Sequence, residues 1–128
     1  MVVIVIVGIL SAVALPNFLS QTSKAQATEC TQKIGNILSQ VGAEHLASST
    51  SAGVVLASEI TTADTNSAIC DFADAGLTAP LYGVTVDGKG DLAGKYSARA
   101  CVNATTGKRV VNTAPAALGT GVPAAATC

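Results

Sequence analysis

Four cysteines, Cys30, Cys70, Cys101 and Cys128, carry most of the chemical potential of this sequence, and their spacing decides its kind. None belongs to a C-x-x-C pair, so the thiolate pairing of a zinc site and the C-x-x-C-H of haem attachment are both absent. Even in number and spread through a small chain, they fit two disulfides formed in an oxidising compartment. Four cysteines allow three pairings, and spacing alone selects none of them. The single histidine, His45, has no Ser, Cys or carboxylate partner at a recognisable spacing, so it reads as a surface or capping residue and not as a general base. Asp87-Gly-Lys-Gly-Asp91 has the look of a calcium loop but lacks the alternating carboxylates, and Ala98 stands where an EF-hand requires Glu; a hairpin turn is the better reading. Asn103-Ala-Thr105 is an N-x-T glycosylation triplet in a turn, and the Ser/Thr run from Ser48 to Ser51 offers O-linked acceptors. Lys108-Arg109 is the densest basic spot, and two charges read as a solvated strand end, so no specific nucleic-acid site is expected. No catalytic group, metal or cofactor is expected, and the chain is read as a non-enzyme.

Composition narrows the elements that could hold such residues. The 128 residues make room for one domain, with a net charge of −1, 12% charged residues and only 3% aromatics. Charge this sparse excludes the electrostatic footprint of a dedicated nucleic-acid binder. A core of Ala, Val, Ile and Leu with so few rings leaves little scope for a large enclosed ligand pocket.

One stretch dominates the hydropathy: MVVIVIVGILSAVAL, Met1 to Leu15, uncharged and stopped by Pro16-Asn17. Val2, Val3, Ile4, Val5, Ile6, Val7, Ile9, Leu10, Val13 and Leu15 supply its large aliphatic side chains, and at roughly −0.3 to −0.6 kcal/mol each they favour membrane insertion by about 3 to 6 kcal/mol. As a helix the run reaches only about 22 Å, short of a ~30 Å hydrocarbon core. Its length argues against a buried strand, and the lack of a basic leader and of an A-x-A site argues against a cleaved signal. Beyond Pro16 the period is helical, with Ala27, Cys30, Ile34, Ile37 or Leu38, and Val41 on one stripe and Glu29 and Lys33 as an i, i+4 pair. One helix from Met1 to about Leu46 is expected, with a kink or local melting between Gly8 and Pro16.

From Ala47 to Ala79 a Ser/Thr/Ala-rich surface connection is expected, with a weak helical patch at Val54 to Ile60 and an anchor at Cys70. Leu81 to Val86, Lys95 to Val102 and Lys108 to Asn112, separated by Gly-containing turns, predict an antiparallel meander. The tail from Thr113 to Thr127 has no period and ends on Cys128. The fold class is therefore α+β, a long N-terminal helix packed on a small antiparallel sheet, divided into an apolar helix segment, 1–23, and a head, 24–128, that includes the amphipathic half of the helix.

Met1 to Gln21, MVVIVIVGILSAVALPNFLSQ, resembles the N-terminal segment of type IVa pilins and the related pseudopilins; the motif is specific and covers about a sixth of the chain. The rest matches by architecture, the pilin fold with a disulfide-closed C-terminal loop. The family pattern begins upstream, with an N-methylated phenylalanine and a glutamate two positions before Met1, so this sequence is expected to start inside the first helix of a longer mature protein. The resemblance implies the pairing Cys101 with Cys128, closing the C-terminal loop as in many pilins, and Cys30 with Cys70 then clamps the long connection to the helix. It also implies a filament subunit: a homo-oligomer that waits in the cytoplasmic membrane, is handled by a pilus assembly machinery, and packs its apolar helix with others in an extracellular helical pilus. A surface of aliphatic side chains suits lipid and neighbouring helices alike, so the transfer between them need not be costly. A pseudopilin of a secretion or DNA-uptake system shares the motif, and a membrane-anchored binding module is the rival of another class.

Overall fold

The computed structural model describes residues 1–114 and 127–128, apart from the side chains of 15–20 and 114. The side chains of Leu15 and Pro16, and nearly all of the aperiodic tail read from the sequence, lie outside the described residues. The first helix, α1, runs unbroken over Val2–Ala47, 46 residues, or about 69 Å at 1.5 Å per residue. Neither Gly8 nor Pro16 interrupts it, so the melting expected there is absent from the isolated chain. A proline removes a single amide donor, and the hydrogen bonds on either side suffice to carry the helix through. It ends where Ser48 turns extended and donates its N–H to the Glu44 carbonyl at 2.6 Å.

The second half of α1 buries Cys30, Ile34, Ile37, Leu38 and Val41, the i, i+4, i+7 spacing of one helical stripe. They meet a four-stranded antiparallel sheet, β1(Cys70–Asp74), β2(Leu81–Gly88), β3(Ser97–Asn103) and β4(Arg109–Ala114), in the order β1-β2-β3-β4. Strand alternation sends Tyr82, Val84 and Val86 of β2 and Ala98, Ala100 and Val102 of β3 to the helix side, where all six join one core. Helix α1 passes close to β3 at Gly42, where a Cβ would stand 4.0 Å from the Val102 side chain.

Two elements correct the sequence reading. The stretch taken as a surface connection holds a 14-residue helix, α2(Ala52–Thr65), and the edge strand β1. The hydroxyls that weaken helix propensity are accommodated locally, since Thr61, Thr62 and Thr65 donate to the carbonyls of Ala57, Ser58 and Thr61 at 2.8 to 2.9 Å. Ala52, Leu56 and Ile60, four residues apart, bury one stripe of α2 in the common core. The second concerns Asp87 to Asp91, which does lead into the hairpin connection between β2 and β3, but through a loop over 89–96 and not a short turn. After β2 the chain makes a 3-10 turn, Gly90–Leu92, and buries Leu92 completely before β3 begins. Gly88 permits this fold-back, because a Cβ there would collide with the Leu92 carbonyl.

Candidate assembly surface

The apolar run that dominates the sequence lies on the part of α1 that no other element covers. Val2 to Val13 carry nine large aliphatic side chains, each between 50 and 74% exposed. Together they present on the order of 1,000 Å² of apolar surface, against the roughly 300 to 600 Å² of the largest patch on a typical monomer. Ser11, the one hydroxyl among residues 1–15, is satisfied inside the helix by donating to the Val7 carbonyl at 2.8 Å. A Cβ at Gly8 would meet nothing within 4 Å, so this glycine leaves a notch in the surface. Among the described residues, no helix is long and apolar enough to cross a membrane.

This surface is held to the head by the continuous backbone of α1 and by a covalent link. Cys30 on α1 is joined to Cys70 at the start of β1, with Cα atoms 6.2 Å apart, and both residues are fully buried. Cys101 on β3 is joined to Cys128, with Cα atoms 6.1 Å apart. These are the pairs named from the sequence, and no cysteine is free. The disulfides span 40 and 27 residues.

The other residues singled out for chemistry fall into structural roles. His45 Nδ1 lies 3.0 Å from the Tyr82 hydroxyl, with the rings edge to face, which ties the last turn of α1 to β2. Tyr96 shares a 2.8 Å hydrogen bond with Thr31 Oγ1, and burial raises its phenol pKa. Asn103 sits in the β3–β4 turn, where its Oδ1 accepts the amides of Thr105 and Thr106 at 3.0 and 3.1 Å. Arg109 reaches across to α1, donating to Ser39 Oγ at 2.8 Å and to the Gly35 carbonyl at 3.4 Å. Among the described residues, no group of three or more His, Cys, Asp or Glu is placed to hold a metal ion.

One charged cluster escaped the sequence reading. Lys89, within Asp87 to Asp91, places its ammonium 2.7 Å from Asp64 at the end of α2 and 3.7 Å from Asp71 on β1. Its hydrogen bond holds the Asp64 carboxyl below the ordinary carboxylate value, helped by the Phe72 amide and opposed by partial burial. The same bond raises Lys89 above an ordinary lysine. A depressed carboxylate stabilises the fold above its unfolded pKa, and that contribution is lost as pH falls through the folded value. A raised ammonium stabilises below its unfolded pKa and fails as pH rises through the folded one. The pair therefore contributes fully between roughly pH 5 and pH 9. Thermal unfolding followed against pH is expected to fall at both ends of this window, and Asp64→Asn is expected to flatten the acid limb; an unchanged acid limb would refute the assignment.

No known protein family, curated protein or solved structure matches this chain.

Proposed function

We propose that this chain is a structural subunit of an extracellular filament of the type IV pilus kind, with the pilin arrangement of helix and head. One observation carries the reading: a large, uncharged aliphatic surface stands in solvent on the same unbroken helix that forms the core of the head. Such a surface calls for apolar surroundings, and the two supplied by this reading are lipid before assembly and the helices of other copies afterwards. Subunits related head to tail by a rotation that does not close then extend as a filament. The disulfide-linked head, anchored to α1 through Cys30, becomes the outer wall exposed to an oxidising environment.

Electron microscopy of filaments sheared from cells expressing the native protein tests this directly. Filaments containing the chain are expected, and a reconstruction should place Met1 to Val13 of neighbouring copies in mutual contact along the axis. A lone helix embedded in the membrane would refute assembly, and the absence of surface filaments at native expression would favour the pseudopilin reading instead.

A further inference from the structure

The near-zero net charge of this chain conceals a segregation along its length. Residues 48–94 carry six acids, Glu59, Asp64, Asp71, Asp74, Asp87 and Asp91, against one base, Lys89. Residues 95–128 carry four bases, Lys95, Arg99, Lys108 and Arg109, and no acid at all.

Topology turns that segregation into a shape. Because the strands lie side by side in chain order, the acidic half of the sequence forms one flank of the head and the basic half the other. A crossover connection would have interleaved the two signs. At about 4.8 Å per strand, β1 and β4 stand roughly 14 Å apart. Side chains on the edge strands β1 and β4 therefore cannot meet across the sheet within one subunit.

The ion pairs of the head agree with this separation. Lys89 pairs with Asp64 and Asp71, inside the acidic half. Among the described residues, Arg99, Lys108 and Arg109 enter no salt bridge, and Arg109 bonds only to neutral oxygens of α1. Asp74 and Asp87 likewise lack a cationic partner, and both are exposed. Asp71 and Asp87 stand directly opposite each other across β1 and β2, a like-charge register that is unfavourable in an isolated sheet. Along the strands, one acid and one base also come near the same height. Asp74 lies in the row of Val84, Ala100 and Val111, and Arg109 lies two residues away in the row of Val102 and Tyr82. A sideways neighbour shifted by only about 7 Å would bring these two groups to the same height.

We infer that the two flanks form a second, lateral interface between copies of this chain, with Asp74 of one head facing Arg109, and Lys108 beside it, of the next. This rests on the filament reading and adds to it a contact between heads. The relation is heterologous, so it repeats without closing and runs in step with the packing of the helices. Solvent-exposed charges of this kind set register and partner choice more than raw affinity.

Charge reversal of the full-length chain tests it. One variant combines Lys108→Glu with Arg109→Glu, making the β4 flank acidic, and a second carries Asp74→Lys, making the facing position on β1 basic. Either alone is expected to lower filament yield at low salt about tenfold or more, because like charges now face each other. Co-expression of the two should restore assembly to within about twofold of wild type, since each supplies the flank the other lacks; a chain carrying all three substitutions should do the same. Lys108→Glu alone touches no intramolecular partner and guards against a folding defect in the Arg109 variant, with thermal unfolding as the control. Wild-type yields from both reversed variants, or losses that neither combination rescues, would overturn the lateral interface while leaving the filament reading intact. Failure of the wild-type chain to form filaments at all would overturn both.

Discussion

Substitution of Ile6 by aspartate is expected to abolish filament formation while leaving the head folded. Ile6 is 50% exposed in the isolated subunit and lies far along α1 from the stripe that enters the core, so the head loses nothing when it changes. In lipid or among apolar helices the balance is different. Aspartate costs about 2.5 to 3.5 kcal/mol at the centre of an inserted helix where isoleucine contributes about −0.5, so each copy loses some 3 to 4 kcal/mol. That is a factor of more than ~100 against insertion of each subunit into apolar surroundings. Ile6→Leu, which keeps the apolar volume, should assemble normally. Counting sheared filaments by electron microscopy, with thermal unfolding of the same preparations, separates a lost contact from a lost fold. Wild-type filament yield from the aspartate variant would show that this surface is not buried on assembly.

The second large effect concerns the head itself. Replacing Cys30 and Cys70 by alanine should lower the unfolding free energy by about 4 kcal/mol, on the loop-closure entropy of a 40-residue separation. A domain of this size has only about 5 to 15 kcal/mol in total. The Cys101–Cys128 link, which closes 27 residues, should contribute about 3.5 kcal/mol on the same grounds. The two differ in where the released chain goes. Cutting the first frees β1 from α1 and leaves the space of two sulfur atoms at fully buried positions, whereas Cys128 is only half-buried. Denaturant titration of the Cys30→Ala, Cys70→Ala variant against the oxidised wild type measures the difference. A midpoint shift corresponding to less than about 1 kcal/mol would mean that packing alone holds α1 to the sheet.

Much of this architecture was legible in the sequence because one physical signal was strong. The stripe Cys30, Ile34, Ile37, Leu38, Val41 has the helical period and is wholly buried, and the expected end near Leu46 falls within a residue of the observed Ala47. β2, β3 and β4 were visible as runs between glycine turns, and their boundaries shifted by at most two residues. What was faint or hidden were the elements whose local chemistry argues against them: of α2 only the patch Val54 to Ile60 could be read, and of β1 only the anchor at Cys70. Helix α2 carries Ser58, Thr61, Thr62 and Thr65, residues of weak helical propensity, and is stabilised by burying Ala52, Leu56 and Ile60 against α1 and the sheet. Strand β1, CDFAD, is five residues long, and its alternation of buried Cys70 and Phe72 with exposed Asp71 and Ala73 is too brief to stand out from chance. The Lys89 cluster joins residues 25 and 18 positions apart in the chain, and no spacing rule relates them. Of the assembly surface, the sequence carried the chemistry in full, and the fold added that the rest of the molecule leaves it bare.

The joint between α1 and the head has a mechanical meaning as well. A pull on the first third of α1 runs down the helix to Cys30 before it reaches most of the core stripe, and there it divides between the backbone and a covalent bond to the edge strand. β1 is zipped to β2 over five paired rows, so this part of the load enters the sheet as shear along many hydrogen bonds at once and does not peel them singly. The turn at 48–51 and helix α2 lie beyond that branch point and are bypassed. A tensile load on such a subunit would be carried through its staple, and the head would ride on the strained helix with its outer surface unchanged.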